Sequence, residues 1–366
     1  MPDSKPYSRF IDGVCSACID HEKKNAAKEG IDWKKQEKKF VKLVNEAKQK
    51  NAPYFDVLVP VSGGKDSIFQ VHTALKYGLK TLAVNVDYGI KTEVGRKNLS
   101  IIPKMGASLI TYTPEYKVHK KLIIIGFEDY GDPDLMSHGL LYAFPLWTAI
   151  QFDIPLVLEG ENPAFEYGGD EESALKYQID KVWFLKHVMT KEMTVEQISK
   201  KYNIPLAGLK LYDFPEKELK QKGIKAVFLS CFLKWDSEKH LQIAKKYGFQ
   251  TMDTHREGTF RDYVGIDEEI NRVHQYMKVL KFGYGRATDH ACEEIRNGRM
   301  TRAEAIELVR KYDTQELSDH FVNDFCKFLG YTKEQFYEII EKSRNKDIWK
   351  KDKKGKWYIE GWIGEK

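Results

Sequence analysis

A glycine-rich turn between an apolar run and a helical segment is the part of this sequence best suited to chemistry. It comprises Ser62, Gly63, Gly64, Lys65, Asp66 and Ser67, shortly after Pro60 at the end of a β-branched run. Glycines let backbone N–H groups approach an anion, and the start of a helix adds the positive end of its dipole. Lys65 supplies a cation and the serines supply hydroxyls. The turn therefore predicts a phosphate-binding site; the plain alternative is a tight strand-to-helix turn capped by Ser62.

The turn needs a strand and a helix to hold it, and the surrounding sequence supplies both. From residue 53 onward, short apolar runs alternate with segments of helical periodicity. Such alternation is typical of an α/β fold and predicts a doubly wound, mostly parallel sheet with helices on both faces. The predicted strands are 56–61, 82–86, 108–112, 155–158 and 226–229.

Three regions are predicted along the chain. Residues 1–52 contain a cysteine pair in a turn and then a helix, and residues 53–235 form the sheet domain, with an insertion at 168–223. Residues 236–366 are predicted to be mainly helical and to contact substrate or partners, because strand signals fade there and amphipathic periodicity replaces them. The amphipathic stretches are 268–282, 302–312 and 333–344.

The composition is that of an ordinary globular protein. With 366 residues, 42% hydrophobic and 31% charged, the chain is neither wholly disordered, nor collagen-like, nor a disulfide miniprotein. The formal net charge of +5 makes nucleic acid an unexpected partner, and no apolar run is long enough for membrane insertion. Five cysteines and no recognisable signal peptide predict a cytoplasmic location.

The turn does not have the Walker A spacing, so hydrolysis of a γ-phosphate is not inferred. It resembles the PP-loop of the ATP pyrophosphatases, which cleave ATP between the α and β phosphates. This resemblance implies adenylyl transfer, with Lys65 and Mg²⁺ offsetting the charge of the departing pyrophosphate. The implied catalytic residues are Lys65, Asp66 and, beyond the fourth strand, Glu161. The implied ATP-binding residues are Pro60, Ser62, Gly63, Gly64, Lys65, Asp66, Ser67, Asp87 and Gly160.

Polar residues also follow the second and fourth predicted strands, where a doubly wound sheet places ligand groups. Asp87 is a candidate for contact with adenine or ribose, or merely begins a turn before Gly89. Segment 159–169 carries carboxylates, an amide and aromatic rings that suit a sugar, or it is a solvated acidic loop. The candidate substrate-binding residues are Glu161, Asn162, Glu166 and Tyr167, with Arg286 and His290 from a later glycine-rich turn.

Several segments, in order, resemble the N-acetyl sugar amidotransferases of bacterial surface-polysaccharide and flagellar-glycan biosynthesis. They are 13–18, 31–33, 62–67, 92–99, 160–163 and 282–290. The resemblance implies that an acetamido group on a nucleotide-linked or nonulosonic sugar, such as pseudaminic or legionaminic acid, becomes an acetamidino group. The implied steps are adenylation of the amide oxygen by ATP, attack by ammonia and release of AMP.

The resemblance also implies partner proteins. Cys231, Cys292 and Cys326 lack a recognisable nucleophile motif, so ammonia is expected from a separate glutaminase subunit, coupled through a cyclase-like barrel subunit. A homodimer is a further candidate assembly, since the aromatic, lysine-rich tail suits a subunit contact.

Cys15 and Cys18 form a C-x-x-C pair and are candidate zinc ligands, although one pair is only half of a tetrahedral site. A redox pair and coincidence are the other interpretations. Two alternative functions remain open from the sequence. One is a PP-loop tRNA-modifying enzyme that thiolates its substrate with this cysteine pair, and the other is a catalytically idle nucleotide-binding subunit of a glutaminase complex.

Overall fold

The structure is a computed structural model that describes residues 1–6, 8–26, 30–189 and 192–363. The chain begins with a small antiparallel hairpin and two helices: β1 (Phe10–Ile11), β2 (Val14–Cys15), α1 (Ser16–Asn25) and α2 (Trp33–Gln49). Asp32 caps α2 by accepting a hydrogen bond from the backbone N of Lys35 at 3.0 Å. Phe40 and Val44 bury the apolar face of α2 against the central sheet, so this helix is anchored there.

A five-stranded parallel sheet lies at the centre of the molecule. Its strands are β3 (Val57–Pro60), β4 (Thr81–Val86), β5 (Ser108–Tyr112), β6 (Leu156–Glu159) and β7 (Lys225–Phe228). Their order is β5-β4-β3-β6-β7, and each neighbouring pair is parallel. The chain moves outward from β3 to β5 and then returns to the other side of β3, so the order reverses between β3 and β6. The predicted doubly wound α/β fold is confirmed, and ligands bind such sheets at this reversal point.

Both faces of the sheet are buried. Along β3, Val57 and Val59 pack into one apolar cluster and Leu58 packs into the other, because successive side chains of a strand point to opposite faces. Helices that connect the strands cover the two clusters. They are α3 (Lys65–Lys76), α4 (Glu93–Leu99), α5 (Ile101–Met105), α6 (Tyr116–Tyr130) and α7 (Leu135–Gln151).

The insertion between β6 and β7 is a series of short helices. Trp183 and Phe184 are fully buried there and pack into the same apolar cluster as α7, so the insertion is part of the core on that face of the sheet. The helices are α8 (Pro163–Tyr167), α9 (Glu171–Leu175), α10 (Lys181–His187), α11 (Val195–Tyr202), α12 (Leu206–Leu209) and α13 (Glu216–Lys222).

The C-terminal region is mainly helical, as predicted, and ends in a hairpin. Its elements are α14 (Ser237–Lys246), α15 (Ile270–Phe282), α16 (Arg286–Arg296), α17 (Arg302–Tyr312), α18 (Asp319–Leu329), α19 (Lys333–Ser343), β8 (Trp349–Lys351) and β9 (Trp357–Ile359). Phe127 of α6 shares an apolar cluster with α15, α18 and α19, and Ile68 of α3 shares another with α14. The C-terminal region therefore rests directly on the sheet domain, while the exact domain limits stay a prediction.

Among the described residues, no helix combines the length and the apolar character that crossing a membrane requires.

Candidate active site

The turn at 62–67 joins the C-terminal end of β3 to the first residue of α3, as the sequence predicted. The backbone N of Ser62 donates to Oγ of Ser67 at 2.9 Å, and the backbone N of Gly64 donates to Oγ of Ser62 at 3.2 Å. Gly63 has a φ of +99°, and a Cβ there would lie 2.7 Å from the carbonyl oxygen of Gly95. Only glycine fits that position, because both the backbone conformation and the neighbouring helix α4 exclude a side chain.

Asp66, in the first turn of α3, is held from two sides. Nζ of Lys65 lies 2.6 Å from its Oδ2, and Nδ1 of His240 lies 2.7 Å from its Oδ1. Burial would raise the pKa of Asp66, but the positive charge of Lys65 and the hydrogen bond from His240 hold that pKa well below its usual value. Asp66 is therefore an ionised carboxylate with a defined orientation at the start of α3.

His240 is itself fixed by packing. Its ring stacks on Phe69 with centroids 3.7 Å apart and meets the edge of Trp235 at 4.3 Å. The side chain of His240 is almost completely buried. This residue was missed by sequence reasoning, because it is 174 residues from Asp66 and no local motif marks it.

Two cavities adjoin the turn. The first, here called the helical-side cavity, has a volume of about 520 Å³ and lies between the turn and the C-terminal region. Its charged and polar wall includes Lys5, Lys65, Asp66, Tyr167, Arg261, Tyr263, Asp267, Lys278, Arg286, Asp289, His290 and Glu293. Such a wall suits a polar ligand with several hydrogen-bonding groups, such as a sugar.

The second cavity, here called the sheet-side cavity, has a volume of about 600 Å³ and lies beyond the C-terminal ends of β3, β4 and β6. Its wall combines apolar and aromatic side chains with a few polar groups. It includes Pro60, Val61, Ser67, Gln70, Val84, Val86, Leu141, Tyr142, Glu159, Gly160, Trp183 and Val188. A wall of this kind suits the flat base and the ribose of a nucleotide.

The two cavities meet at Ser62, Glu161, Pro163 and His274, which line both. Burial, followed by the nearby charge of Asp66, raises the pKa of Glu161 to about 7. Burial, followed by the charge of Glu161, raises the pKa of Glu159 to about 8. These two carboxyl groups therefore titrate close to neutrality, which is the range useful for proton transfer.

Cations surround the turn from several parts of the chain. Nζ of Lys91 donates to the carbonyl oxygen of Ser62 at 3.3 Å, and Lys91 is buried. Across the helical-side cavity, Arg261 pairs with Glu293 at 2.8 Å, and Lys278 pairs with Asp289. Lys91, Arg261 and Lys278 were not among the predicted site residues, since each reaches the site only through the tertiary fold.

Most of the predicted site residues come together here. The residues that line one or both cavities are Pro60, Ser62, Gly64, Lys65, Asp66, Ser67, Gly160, Glu161, Tyr167, Arg286 and His290. His290 accepts or donates a hydrogen bond at 3.2 Å with Oγ1 of Thr259. Burial, and then the charges of Arg261 and Arg286, lower the pKa of His290, so its imidazole is neutral in the cavity wall.

Three predicted contacts lie elsewhere. Asn162 is fully buried; its side chain accepts from the backbone N of Ala164 and donates to the carbonyl oxygens of Ser173 and Lys176. This amide caps α8 and bonds the start of the insertion, and it lines neither cavity, so its substrate contact stays a prediction. Glu166 lies 3.7 Å from Nζ of Lys24 and faces a separate small cavity instead. Asp87 lies outside both cavity walls, with its Oδ2 3.9 Å from Nη1 of Arg96.

The candidate zinc site at Cys15 and Cys18 is not supported. Within the described ranges, no group of three or more histidine, cysteine, aspartate or glutamate side chains is arranged to hold a metal ion. Two sulfur atoms alone do not complete a tetrahedral zinc shell.

The fold and the turn together define an α/β protein with a glycine-rich strand-to-helix turn at the reversal point of its parallel sheet. Residues 257–361 match the family described as "LPS biosynthesis protein WbpG-like, C-terminal domain". The matched range contains Arg261, Lys278 and Arg286, and so forms one wall of the helical-side cavity. This part of the chain is similar to lipopolysaccharide biosynthesis proteins, in agreement with the resemblance seen in the sequence.

Comparison with curated proteins found no match. Among solved structures, NMN synthetase from Francisella tularensis has 12% identity and a TM-score of 0.36, covering 79% of this chain and 99% of its own. NH3-dependent NAD synthetase from Campylobacter jejuni has 12% identity and a TM-score of 0.35, with coverages of 86% and 95%. A predicted subunit of tRNA methyltransferase from Methanocaldococcus jannaschii has 14% identity and a TM-score of 0.30, with coverages of 60% and 85%. These scores are low, so the fold assignment rests on strand order and loop position.

Proposed function

We propose that this protein is an ATP-dependent amidotransferase of surface-polysaccharide or flagellar-glycan biosynthesis. It adenylates the acetamido oxygen of an N-acetyl sugar and replaces that oxygen with ammonia, giving an acetamidino sugar, AMP and pyrophosphate. The observation that carries the proposal is the position of the PP-loop at the junction of two cavities, one of which is walled by the WbpG-like segment.

The adenosine of MgATP is assigned to the sheet-side cavity. Its wall carries Val84 and Val86 at the end of β4 and the aromatic rings of Tyr142 and Trp183, which suit a planar base. From there the phosphates extend to the turn, where the N-terminus of α3 and Lys65 face their negative charge. This arrangement points the α-phosphorus toward the junction.

The acceptor sugar is assigned to the helical-side cavity. Carboxylates such as Asp289 and Glu293 accept hydrogen bonds from hydroxyl groups, and Tyr167 offers an aromatic face. Arg286 and Lys278 add positive charge in the same wall, which suits an acceptor that carries a phosphate or a carboxylate. The acetamido group would then meet the α-phosphate at Ser62, Glu161 and His274.

The reaction begins when the acetamido oxygen attacks the α-phosphorus. Lys65 and the start of α3 stabilise the negative charge on the departing pyrophosphate, and Asp66, held by His240, keeps Lys65 in place. The Mg²⁺ that accompanies ATP supplies further charge neutralisation on the phosphates. Ammonia then attacks the activated carbon, and AMP leaves with the former amide oxygen. Burial of the junction limits competition from water.

Ammonia is assigned to a separate glutaminase subunit, coupled through a cyclase-like barrel subunit. Within this chain, Sγ of Cys231 faces the carbonyl oxygen of Lys176 at 3.8 Å, and Sγ of Cys326 faces that of Thr332 at 3.8 Å. Burial raises the pKa of Cys231 to about 12, which disfavours the thiolate that a glutaminase nucleophile needs. This proposal includes action in the cytoplasm, where the glutaminase, ATP and nucleotide-linked sugars are available.

The test is pyrophosphate release from MgATP with ammonium chloride, measured against a panel of acetamido sugars and against bulk tRNA. Pyrophosphate that depends on the sugar, together with a product about one mass unit lighter by mass spectrometry, is the expected result, since oxygen is replaced by NH. Release that depends on tRNA would favour the thiolating alternative. If neither the sugars nor tRNA stimulate pyrophosphate release, the catalytically idle nucleotide-binding subunit is favoured. Stimulation by tRNA and the absence of any stimulation would each overturn the proposal.

A further inference from the structure

His274 of α15 lies where the two cavities meet, and the proposed reaction gives its side chain no role. It lines both cavities, and of the four residues at their junction only His274 and Glu161 are titratable. The side chain of His274 is 19% exposed, so its ring is partly open to the cavities while most of it is buried. The junction is where an acceptor in one cavity meets a nucleotide in the other.

A carboxylate orients this imidazole. Nδ1 of His274 lies 2.7 Å from Oδ1 of Asp132, in the turn between α6 and α7. Since an ionised carboxylate can only accept, Nδ1 carries the hydrogen and Nε2 is the basic nitrogen. Among the described residues, no hydrogen bond occupies Nε2. The pair therefore has the arrangement of a general base held in one tautomer by an aspartate.

The turn that carries Asp132 packs closely against α6. The backbone N of Asp132 donates to the carbonyl oxygen of Gly126 at 2.8 Å, and a Cβ on Gly126 would clash with the carbonyl oxygen of Asp132. Glycine at position 126 thus lets the turn lie against α6. Oδ1 of Asp132 also accepts from the backbone N of Asp134 at 3.1 Å, which fixes the carboxylate that faces His274.

Several charged and titratable groups face this pair from the neighbouring elements. Asp134 is buried, and within the described part of the chain neither of its carboxyl oxygens has a hydrogen-bond partner. The ring of His138 on α7 lies 5.7 Å from that of His274, and Arg286 approaches from α16. Burial opposes protonation of His274, but Asp132 outweighs it and raises the pKa of the imidazole. An imidazole made more basic by a neighbouring carboxylate is a stronger proton acceptor.

We propose that His274 is the general base of the ammonia-dependent half of the reaction and that Asp132 is its positioning residue. This inference rests on the proposed function. Ammonia forms a C–N bond to the carbon of the O-adenylyl imidate, which still carries the hydrogen of the acetamido nitrogen. One proton of the new –NH₃⁺ group passes to Nε2 of His274 and then to solvent. The C–O bond to AMP breaks with its electron pair on AMP, and the product leaves as an amidinium.

Glu161 suits this step less well. The charge of Asp66 and burial both oppose ionisation of its carboxyl group, and no positively charged side chain is hydrogen-bonded to it among the described residues. Protonated or ionised, Glu161 can hold a hydroxyl or amide group of the acceptor at the junction. His274 has what Glu161 lacks, namely an aspartate that fixes both its orientation and its tautomer.

Measuring the two half-reactions separately distinguishes a general base from a residue that only supports the fold. The first half-reaction, adenylation, is measured without ammonia as the acceptor-dependent exchange of labelled pyrophosphate into ATP. The second half-reaction is measured as the amidine formed when ammonium chloride is added. In H274N the side-chain amide keeps a donor for Asp132 but offers no base. We expect H274N to lose about 100-fold or more of its amidine formation. Pyrophosphate exchange should stay within a few-fold of the unaltered protein. The matched control is H320N, since His320 is exposed on α18 and away from both cavities.

Asp132 is tested by the pH dependence of amidine formation. The rate of amidine formation should rise with pH as His274 loses its proton. In D132N this rise should occur at lower pH, because the carboxylate that raises the pKa of His274 is gone. Unchanged amidine formation in H274N, or an equal loss of both half-reactions in a folded H274N, would overturn the assignment. H274Q replaces H274N if the latter does not fold. Absence of acceptor-dependent exchange in the unaltered protein would instead refute the proposed function itself.

Discussion

Nδ1 of His240 lies 2.7 Å from Oδ1 of Asp66, although the two residues are 174 positions apart. The contact ties the first turn of α3 to α14 and so joins the PP-loop to the C-terminal region. Through Asp66 it also reaches Lys65, whose Nζ lies 2.6 Å from the other carboxylate oxygen. The side chain of Lys65 is therefore positioned, through Asp66, by a residue far outside the loop.

Replacing His240 with alanine should weaken both stability and turnover. The change leaves a partly buried carboxylate oxygen of Asp66 without its partner, which costs about 1–2 kcal/mol in the free energy of unfolding. Turnover should fall about tenfold or more because Asp66 and Lys65 lose their orientation. Urea denaturation and pyrophosphate release measure the two effects. His72→Ala is the control, because His72 also lies on α3 but hydrogen-bonds the hydroxyl of Tyr247 at 2.8 Å in an exposed contact and does not bond Asp66. An equal effect there would contradict the prediction.

Lys65→Met should reduce acceptor-dependent pyrophosphate release by about 100-fold or more, because the charge that stabilises departing pyrophosphate is lost. The fold should survive, since the backbone of the loop is unchanged; circular dichroism checks this. Lys76→Met removes a lysine from the exposed end of the same helix and should be nearly silent. Normal turnover in Lys65→Met would remove Lys65 from the mechanism.

Gly63→Ala should disrupt the loop. The residue has a φ of +99°, and its new Cβ would meet the carbonyl oxygen of Gly95 at 2.7 Å. Gly106→Ala is a close control, since Gly106 has a φ of +104° and a Cβ added there would have no neighbouring atom within 4 Å. Both variants share the backbone strain of about 1 kcal/mol, so any additional loss of stability and of ATP affinity in Gly63→Ala isolates the contact with α4. Equal losses in both would show that the contact is unimportant.

Asn162 and Glu161 are adjacent but should respond differently to replacement. Asn162→Ala removes three buried hydrogen bonds and should lower the free energy of unfolding by about 2–4 kcal/mol, with little change in the KM for the sugar once folded. Glu161→Ala should weaken the dependence on the sugar more than ATP binding, because the proposed role of Glu161 is to hold a polar group of the acceptor where the two cavities meet, while the turn and Lys65 hold the phosphates. A sugar KM that rises selectively in Asn162→Ala would restore the predicted substrate contact.

The Asp132 and His274 pair should contribute most to stability at mildly acidic pH. Burial opposes ionisation of Asp132, but His274 holds its pKa at about 2, below the unfolded value of about 3.9. A lowered folded pKa stabilises the protein above the unfolded pKa, and this stabilisation is lost as the pH falls towards 2. The pKa of His274 is shifted the other way, since it is higher in the folded protein than in the unfolded chain. The stabilisation from His274 is therefore lost as the pH rises through its folded-state pKa.

The free energy of unfolding of the unaltered protein should therefore exceed that of D132N by about 2 kcal/mol between about pH 5 and pH 6. The difference should shrink on both sides of that window. Urea denaturation of both proteins across the pH range measures it, and a difference that does not vary with pH would contradict the ion pair.

The parallel sheet and the PP-loop were predictable because both are encoded locally. A β-branched strand, two glycines and a helix start are contiguous, and parallel strands buried on both faces appear as apolar runs such as 57–59. Ser62 and Glu161, which follow β3 and β6, lie close together because these parallel strands are neighbours at the point where the strand order reverses. The cap that Asn162 forms on α8 was not predicted, because a polar residue after a strand caps a helix as readily as it binds a ligand.

The sequence by itself determined the α/β class, the position of the glycine-rich turn and the two strand ends that flank it, since these depend on the chemistry of neighbouring residues. Only the tertiary structure decided which distant side chains complete the site. His240 reaches Asp66 and Asp132 reaches His274 because apolar clusters dock α14 and α15 on the sheet domain. Lys91 reaches Ser62 because β4 pairs with β3 in the parallel sheet. Packing of that kind depends on buried surface shared by remote segments, which leaves no local pattern in the sequence.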